Sequence, residues 1–269
     1  MTSSSAFSTL YLDFEAASGV VILTLDRPDQ GNAINGTMAA ELRQAALDLS
    51  YDRSVRAVVI QSFGRVFCGG GDLASFSGSS EDELPKIVDS LTIDLHAAVA
   101  RFAKMDAPVV AAVTGAAGGA GMSLVAACDL VIAGESARFT MGYTKAGLVP
   151  DGTSSFFLAR VVGLRRATEL VLTNRVLSAT EAAEWGLINR VVPDADVRAE
   201  ALALARSLAA GATRSLGLAK RGLIEGASSA LEEAMERESR YVSASAGTSD
   251  AQEGIAAFLA KRSARFEGR

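Results

Sequence analysis

Two glycine-rich turns carry the clearest chemistry in the chain. Residues 57–60 (AVVI) lead through Gly64 to Gly69-Gly70-Gly71-Asp72, and residues 109–113 (VVAAV) lead to Gly115 and then Gly118-Gly119-Ala120-Gly121. Each reads as strand, glycine turn, helix start. A helix start leaves backbone N–H groups without partners and carries partial positive charge. Glycine lets a ligand approach that backbone closely. Two such turns facing one another would aim two N–H donors at one oxygen, which is an oxyanion hole. For either cluster alone, close backbone packing is the simpler reading. Other glycine motifs fit worse. Neither cluster continues into the Lys-Ser/Thr of a P-loop. Gly119-Ala120-Gly121 lacks the third glycine of a dinucleotide fingerprint, and Gly121-Met122-Ser123-Leu124-Val125 fails the last position of the nucleophile elbow.

The elements that must hold these turns alternate along the chain. Residues 20–25 (VVILTL), 57–60, 109–113 and 130–133 read as buried strands, residues 37–49 and 84–104 as amphipathic helices, and 122–128 as a buried helix. Residues 75–83 (SFSGSSEDE) have loop composition. After a short helix at 180–185 and a strand at 188–192, four helices follow at 197–210, 213–224, 229–243 and 250–262. The alternation predicts an α/β core. The helical tail is small for a lone domain and must pack on the core or on another subunit. Ala201, Ala203, Ala205 and Ala209 suggest a close subunit contact.

Composition narrows the function classes. With 269 residues the chain can bury a core without metal or disulfide. Its net charge of −5 gives no general attraction to nucleic acid or anionic membranes. No run of 18 apolar residues occurs, and the first residues lack signal-peptide order, so a cytoplasmic protein is expected. Two cysteines, Cys68 and Cys128, exclude a disulfide framework and read as packing residues. His96, the single histidine, excludes a His-rich metal site. It lies off the apolar stripe of its helix and is expected to face solvent. Lys220 and Arg221 read as a solvated helix face.

Six separated segments, in order, resemble one family. They are Arg27-Pro28 with Asn32-Ala33; the stretch from Arg65 to Leu73 (RVFCGGGDL); the stretch from Val113 to Asp129; Phe139 with the run from Gly147 to Gly152 (GLVPDG); the run from Ala183 to Val192; and the run from Phe258 to Arg262. Together they resemble the enoyl-CoA hydratase/isomerase (crotonase) superfamily over about residues 12–265. The resemblance implies a spiral of ββα units over residues 1–196, binding acyl-CoA, and a C-terminal helical trimerisation region over 197–269. It implies homotrimers or hexamers and an acyl-CoA substrate, with no separate cofactor. It implies that the oxyanion donors are the N–H groups of Gly71 and Ala120. Gly69, Asp72 and Leu73 would line the adenine end, Gln30 and Ala33 would lie along the CoA, and Lys261 would approach a neighbour's CoA phosphates.

The chain departs from the hydratase pattern at both catalytic glutamates, whose positions hold Ser123 and Tyr143. Adding water across a double bond needs a base for the water and an acid for the α-carbon, and serine and tyrosine titrate far from neutrality. Tyr143 reads as a pocket wall and Ser123 as a space-filling residue. The remaining acid is Asp151, in the run from Leu148 to Gly152, where several isomerases of the superfamily carry an aspartate. The sequence from Thr144 to Asp151 looks most like the ring-1,2-epoxyphenylacetyl-CoA isomerases. The expected activity is an enoyl-CoA isomerase of fatty acid or phenylacetate catabolism, with Asp151 as acid and base, shielded by Leu148 and Val149. The alternatives are a hydratase or other crotonase reaction with atypical acid/base groups, a non-catalytic acyl-CoA-binding protein, and RNA binding, which the charge disfavours.

Overall fold

The computed structural model describes residues 7–268. β1 (Leu10–Glu15) and β2 (Val20–Leu25) form an antiparallel hairpin. A 3-10 turn at Pro28–Gln30 leads to α1 (Gly36–Tyr51), whose cap Asn35 accepts the Met38 N–H. The second unit is β3 (Ala57–Ser62), the first glycine turn and α2 (Leu84–Lys104). The third is β4 (Val109–Val113), β5 (Ala116–Gly118) and α3 (Ala120–Ala127). The fourth is β6 (Leu130–Gly134), β7 (Arg138–Thr140) and α4 (Ser154–Val162). Then come α5 (Leu164–Thr173), β8 (Leu177–Ser178), α6 (Ala179–Glu184) and β9 (Arg190–Val192). The chain ends in α7 (Val197–Ala209), α8 (Thr213–Gly226), α9 (Leu231–Ala246) and α10 (Ser249–Leu259).

The larger sheet has the order β1-β2-β3-β4-β6-β9, parallel except for β1. A smaller sheet, β5-β7-β8, is extended by bridges from Cys68 to Ala117 and from Gly71 to Ile34. From the second unit on, each unit thus places one strand in the large sheet and one segment in or against the small sheet, then a helix. This is the ββα spiral expected.

Parallel strands buried on both faces read as continuous apolar runs, and β3 and β4 do so. Val58 and Ile60 face the main core with α1 and α2, while Ala57 and Val59 face the opposite side with Val110 and Ile132. That second face is covered by Val197, Ala201, Ala205 and Ala209 of α7. Three of the alanines expected at a subunit contact therefore pack inside the subunit, where small side chains let the helix lie close to the sheet; Ala203 is exposed. Lys220 is not solvated either. Its ammonium donates to Asp129 at 2.7 Å and to the Phe102 carbonyl at 3.0 Å, tying α8 to the core, and Arg221 pairs with Asp106 at 2.9 Å. Among the described residues no helix is long and apolar enough to cross a membrane.

Cys68 is fully buried beside the first glycine turn, and burial pushes its thiol up to about 11. Cys128 is raised as well, by burial and then by the neighbouring Asp129 carboxylate. Only a thiolate reacts with alkylating agents. At pH 8, iodoacetamide should modify neither thiol of the native protein over a time in which the urea-unfolded chain takes up two adducts. Mass spectrometry reads the count, and rapid native labelling of Cys68 would contradict the placement.

Candidate active site

The first glycine turn is stitched on both edges. Cys68 N–H donates to the Ala116 carbonyl (3.1 Å), and the Cys68 carbonyl accepts Gly118 N–H (2.9 Å). On the other edge Gly69 N–H donates to Gly31 (2.9 Å), Ile34 N–H to Gly70 (2.7 Å) and Asp72 N–H to Ile34 (2.9 Å). The Gly70 carbonyl is thus held toward Ile34. In a trans peptide the N–H points opposite to the carbonyl, so Gly71 N–H points away from Ile34. The second turn is set the same way. The Gly119 carbonyl accepts Ser123 N–H at 3.0 Å as the first bond of α3, so Ala120 N–H points out of the helix start. Among the described residues neither amide hydrogen has an acceptor. Gly71 and Ala120 line one pocket of about 340 Å³. The turns approach closely enough that a Cβ on Gly121 would sit 2.5 Å from the Cys68 carbonyl oxygen, so that position admits only glycine.

Asp151 lines the same pocket. Its main-chain carbonyl accepts Ser123 Oγ at 2.9 Å and Ser154 N–H at 3.1 Å, which places it at the start of α4. The chain then turns sharply. Gly152 and Thr153 both have left-handed backbone, φ +61° and +70°. For Thr153 this costs on the order of 1–3 kcal/mol. A Cβ on Gly152 would lie 2.9 Å from Ser123 Cβ. The carboxylate itself is held through one oxygen, with the imidazole standing beside the other. Tyr143 O–H donates to Oδ1, and His96 Nε2 stands 3.5 Å from Oδ2. His96 Nε2 also accepts the Gly152 N–H at 3.1 Å, which puts the ring hydrogen on Nδ1. Burial, then the charge and hydrogen bond of Asp151, raise the Tyr143 phenol well above the ordinary tyrosine range. It therefore stays a donor.

The remaining expected residues divide into four groups. Gly69, Leu73 and Tyr143 line the pocket with the donors. Ser123 is buried, away from the pocket wall, and joins the two halves of the site through its bonds to Gly119 and Asp151. It does more than fill space. Asp72 and Ala33 are tied together by Arg27, whose guanidinium donates to Asp72 Oδ2 at 2.9 Å and to the Ala33 carbonyl. Gln30 and Lys261 are exposed and lie outside the pocket wall. Val149 is 81% exposed at the pocket mouth and shields little; Tyr143 covers the carboxylate instead. His96 is the residue that sequence reasoning missed. Its ring is half-exposed, as expected, yet reaches Asp151. The available signal was its place one residue after Leu95, at the edge of the buried stripe of α2.

A ββα spiral that brings two free backbone amides and one carboxylate to a single pocket defines a crotonase-fold acyl-CoA enzyme. The Enoyl-CoA hydratase/isomerase family matches residues 15–269, and the chain belongs to that family. It is 38% identical over 251 residues to a 1,2-epoxyphenylacetyl-CoA isomerase of Escherichia coli (strain K12), covering 93% of this chain and 96% of the relative. It is 37% identical over 257 residues to 4-chlorobenzoyl coenzyme A dehalogenase-1 of an Arthrobacter species, covering 96% and 93%. The crystal structure of an enoyl-CoA hydratase from Polaromonas sp. JS666 superposes with a TM-score of 0.89 at 34% identity, covering 96% of this chain and all of that one.

Hydrogen bonds to charged groups contribute about 1.5–3 kcal/mol. Tyr143→Phe removes the donor to Asp151 and keeps the ring. Turnover of whichever acyl-CoA the enzyme accepts should fall by about tenfold or more, with the thermal midpoint lowered by only a few degrees. Unchanged turnover would show that the phenol is only a wall.

Proposed function

We propose that the enzyme isomerises an enoyl-CoA or ring-epoxide thioester, with Asp151 as its one acid/base group. The thioester carbonyl oxygen rests between the Gly71 and Ala120 amides. Asp151 removes a proton from carbon, the electrons move into the carbonyl, and the two amides hold the resulting enolate. The same carboxyl then returns the proton at a different carbon. Each oxyanion donor contributes roughly 3–4 kcal/mol to such an intermediate. The observation that carries this reading is a single carboxylate on the pocket of the two free amides, where Ser123 and Tyr143 replace the glutamates of a hydratase. Asp151→Asn keeps the shape and removes the base. It should lower kcat by about 10²–10⁴-fold and leave KM nearly unchanged, since most CoA contacts lie elsewhere. Isomerisation by Asp151→Asn at the wild-type rate would sink the assignment.

His96 favours a second reading, hydrolytic dehalogenation of an aromatic acyl-CoA, the activity named for the Arthrobacter relative. Asp151 would attack the halogen-bearing ring carbon, halide would leave, and an aryl ester would remain on the carboxylate. Once Gly152 N–H releases it, His96 Nε2 would take a proton from water as that water attacks the ester carbonyl, the carbonyl–O(aryl) bond breaks, and the aryl oxygen leaves with a proton as the hydroxyl product. The two readings separate on His96→Gln, which leaves isomerisation largely intact but stops steady-state chloride release after one turnover.

The helical tail supports assembly with further copies of the chain. No residue of α9 is buried. Leu231, Met235 and Val242 on α9, with Ile255, Phe258 and Leu259 on α10, are each more than half exposed. This apolar surface is large for a monomer. Sedimentation at micromolar concentration should give a trimer or hexamer, and a monomeric boundary would refute this.

A further inference from the structure

The acyl pocket has a neighbour. A groove of about 350 Å³ lies on the other side of α2, bordered by Gly36, Ser75, Ile87 and Ser90. Phe76 and Leu91 line both the groove and the active-site pocket. Leu91 is 8% exposed and belongs to the main core, whereas Phe76 is half-buried on the 3-10 turn Leu73–Phe76 and packs against that core. On the pocket side the same helix presents Val88 and Thr92. α2 is therefore a partition with apolar space on one face and an open groove on the other. The pocket is at the small end of ligand cavities, about 300–1,000 Å³, and must hold the thioester and the acyl group together.

We infer that Phe76, backed by Leu91, is the specificity-determining wall that limits the enzyme to compact acyl groups, ring-sized or short-chain. The groove behind it is the path a longer chain takes when the ring is removed. The inference rests on the reading of the pocket as an acyl-CoA site. It does not depend on which reaction Asp151 performs. A straight acyl chain entering past Gly71 and Ala120 meets the Phe76 ring. Shortening that ring joins the two spaces into a channel that opens to solvent beside Ser90. Phe76 packs on the rim of the core, so its truncation leaves the oxyanion turns in place.

The test is binding, without chemistry. Saturated acyl-CoAs from butyryl to dodecanoyl are titrated calorimetrically into wild type, Phe76→Ala, and Phe76→Ala combined with Ser90→Trp, which fills the groove from an exposed position. Wild type should bind butyryl-CoA and bind dodecanoyl-CoA at least tenfold more weakly. Phe76→Ala should gain tenfold or more for dodecanoyl-CoA with butyryl-CoA unchanged, and the added tryptophan should reverse that gain. The same length profile for wild type and Phe76→Ala overturns the wall. A gain that survives Ser90→Trp overturns the groove as its route. Failure of wild type to bind any acyl-CoA, including the butyryl form, instead removes the acyl-CoA reading, and the wall falls with it.

Discussion

The site depends on one short run of main chain, residues 68–71, paired on both edges. Cys68 bonds to β5 on one side, and Gly69 and Gly70 bond to Gly31 and Ile34 on the other. A single such bond adds only about 1 kcal/mol net. Leaving buried N–H and carbonyl groups unpaired costs more, so a one-residue slip would forfeit the whole set at once. The register is therefore rigid, and so is the orientation of every peptide in it. Gly71 N–H points into the pocket because its neighbours' carbonyls are already engaged. Donors held this way need no reorganisation when charge develops on an oxygen.

Ser123 carries that rigidity to the carboxylate. Its N–H and hydroxyl both reach the Gly119 carbonyl, and the hydroxyl also reaches the Asp151 carbonyl. The Gly119–Ala120 peptide and Asp151 thus share one anchor on α3. The strained turn at Thr153 sits beyond that anchor, and the Gly152 N–H is taken by His96 from α2. Four elements converge on Asp151 and fix its position relative to the two free amides.

The large sheet and long helices were legible in the sequence because their apolar runs and stripes extend over several turns or residues. The bounds of α2, Leu84–Lys104, follow directly from that stripe. Elements of two or three residues, β5, β7 and β8, leave too little pattern to read, although they build the small sheet that holds the turns. β1, α4 and α5 were not anticipated either. β1 pairs only with β2, at the edge of the large sheet, and is partly exposed; α4 and α5 are short and broken by Gly163. Within the site, Gly71, Ala120 and Asp151, named from the resemblance, line one pocket. Ser123 and His96 owe their roles to contacts between distant segments, 28 residues apart for Ser123 and 56 for the His96–Gly152 bond. No local spacing encodes such contacts, and the same holds for Lys220 and Asp129, 91 residues apart.

The two donors are main-chain atoms, and this bears on how such an enzyme changes over generations. A point mutation replaces a side chain, and only a change to proline removes an amide hydrogen. Any other substitution that preserves the register keeps both amides free at the pocket, so that half of the site is inherited with the fold itself. The carboxylate has no such protection. One codon change at Asp151, Tyr143 or His96 alters the side-chain groups that stand beside the two amides. The architecture separates a durable activating device from an easily exchanged reactive one, and evolution toward new reactions on the same class of thioester requires few steps.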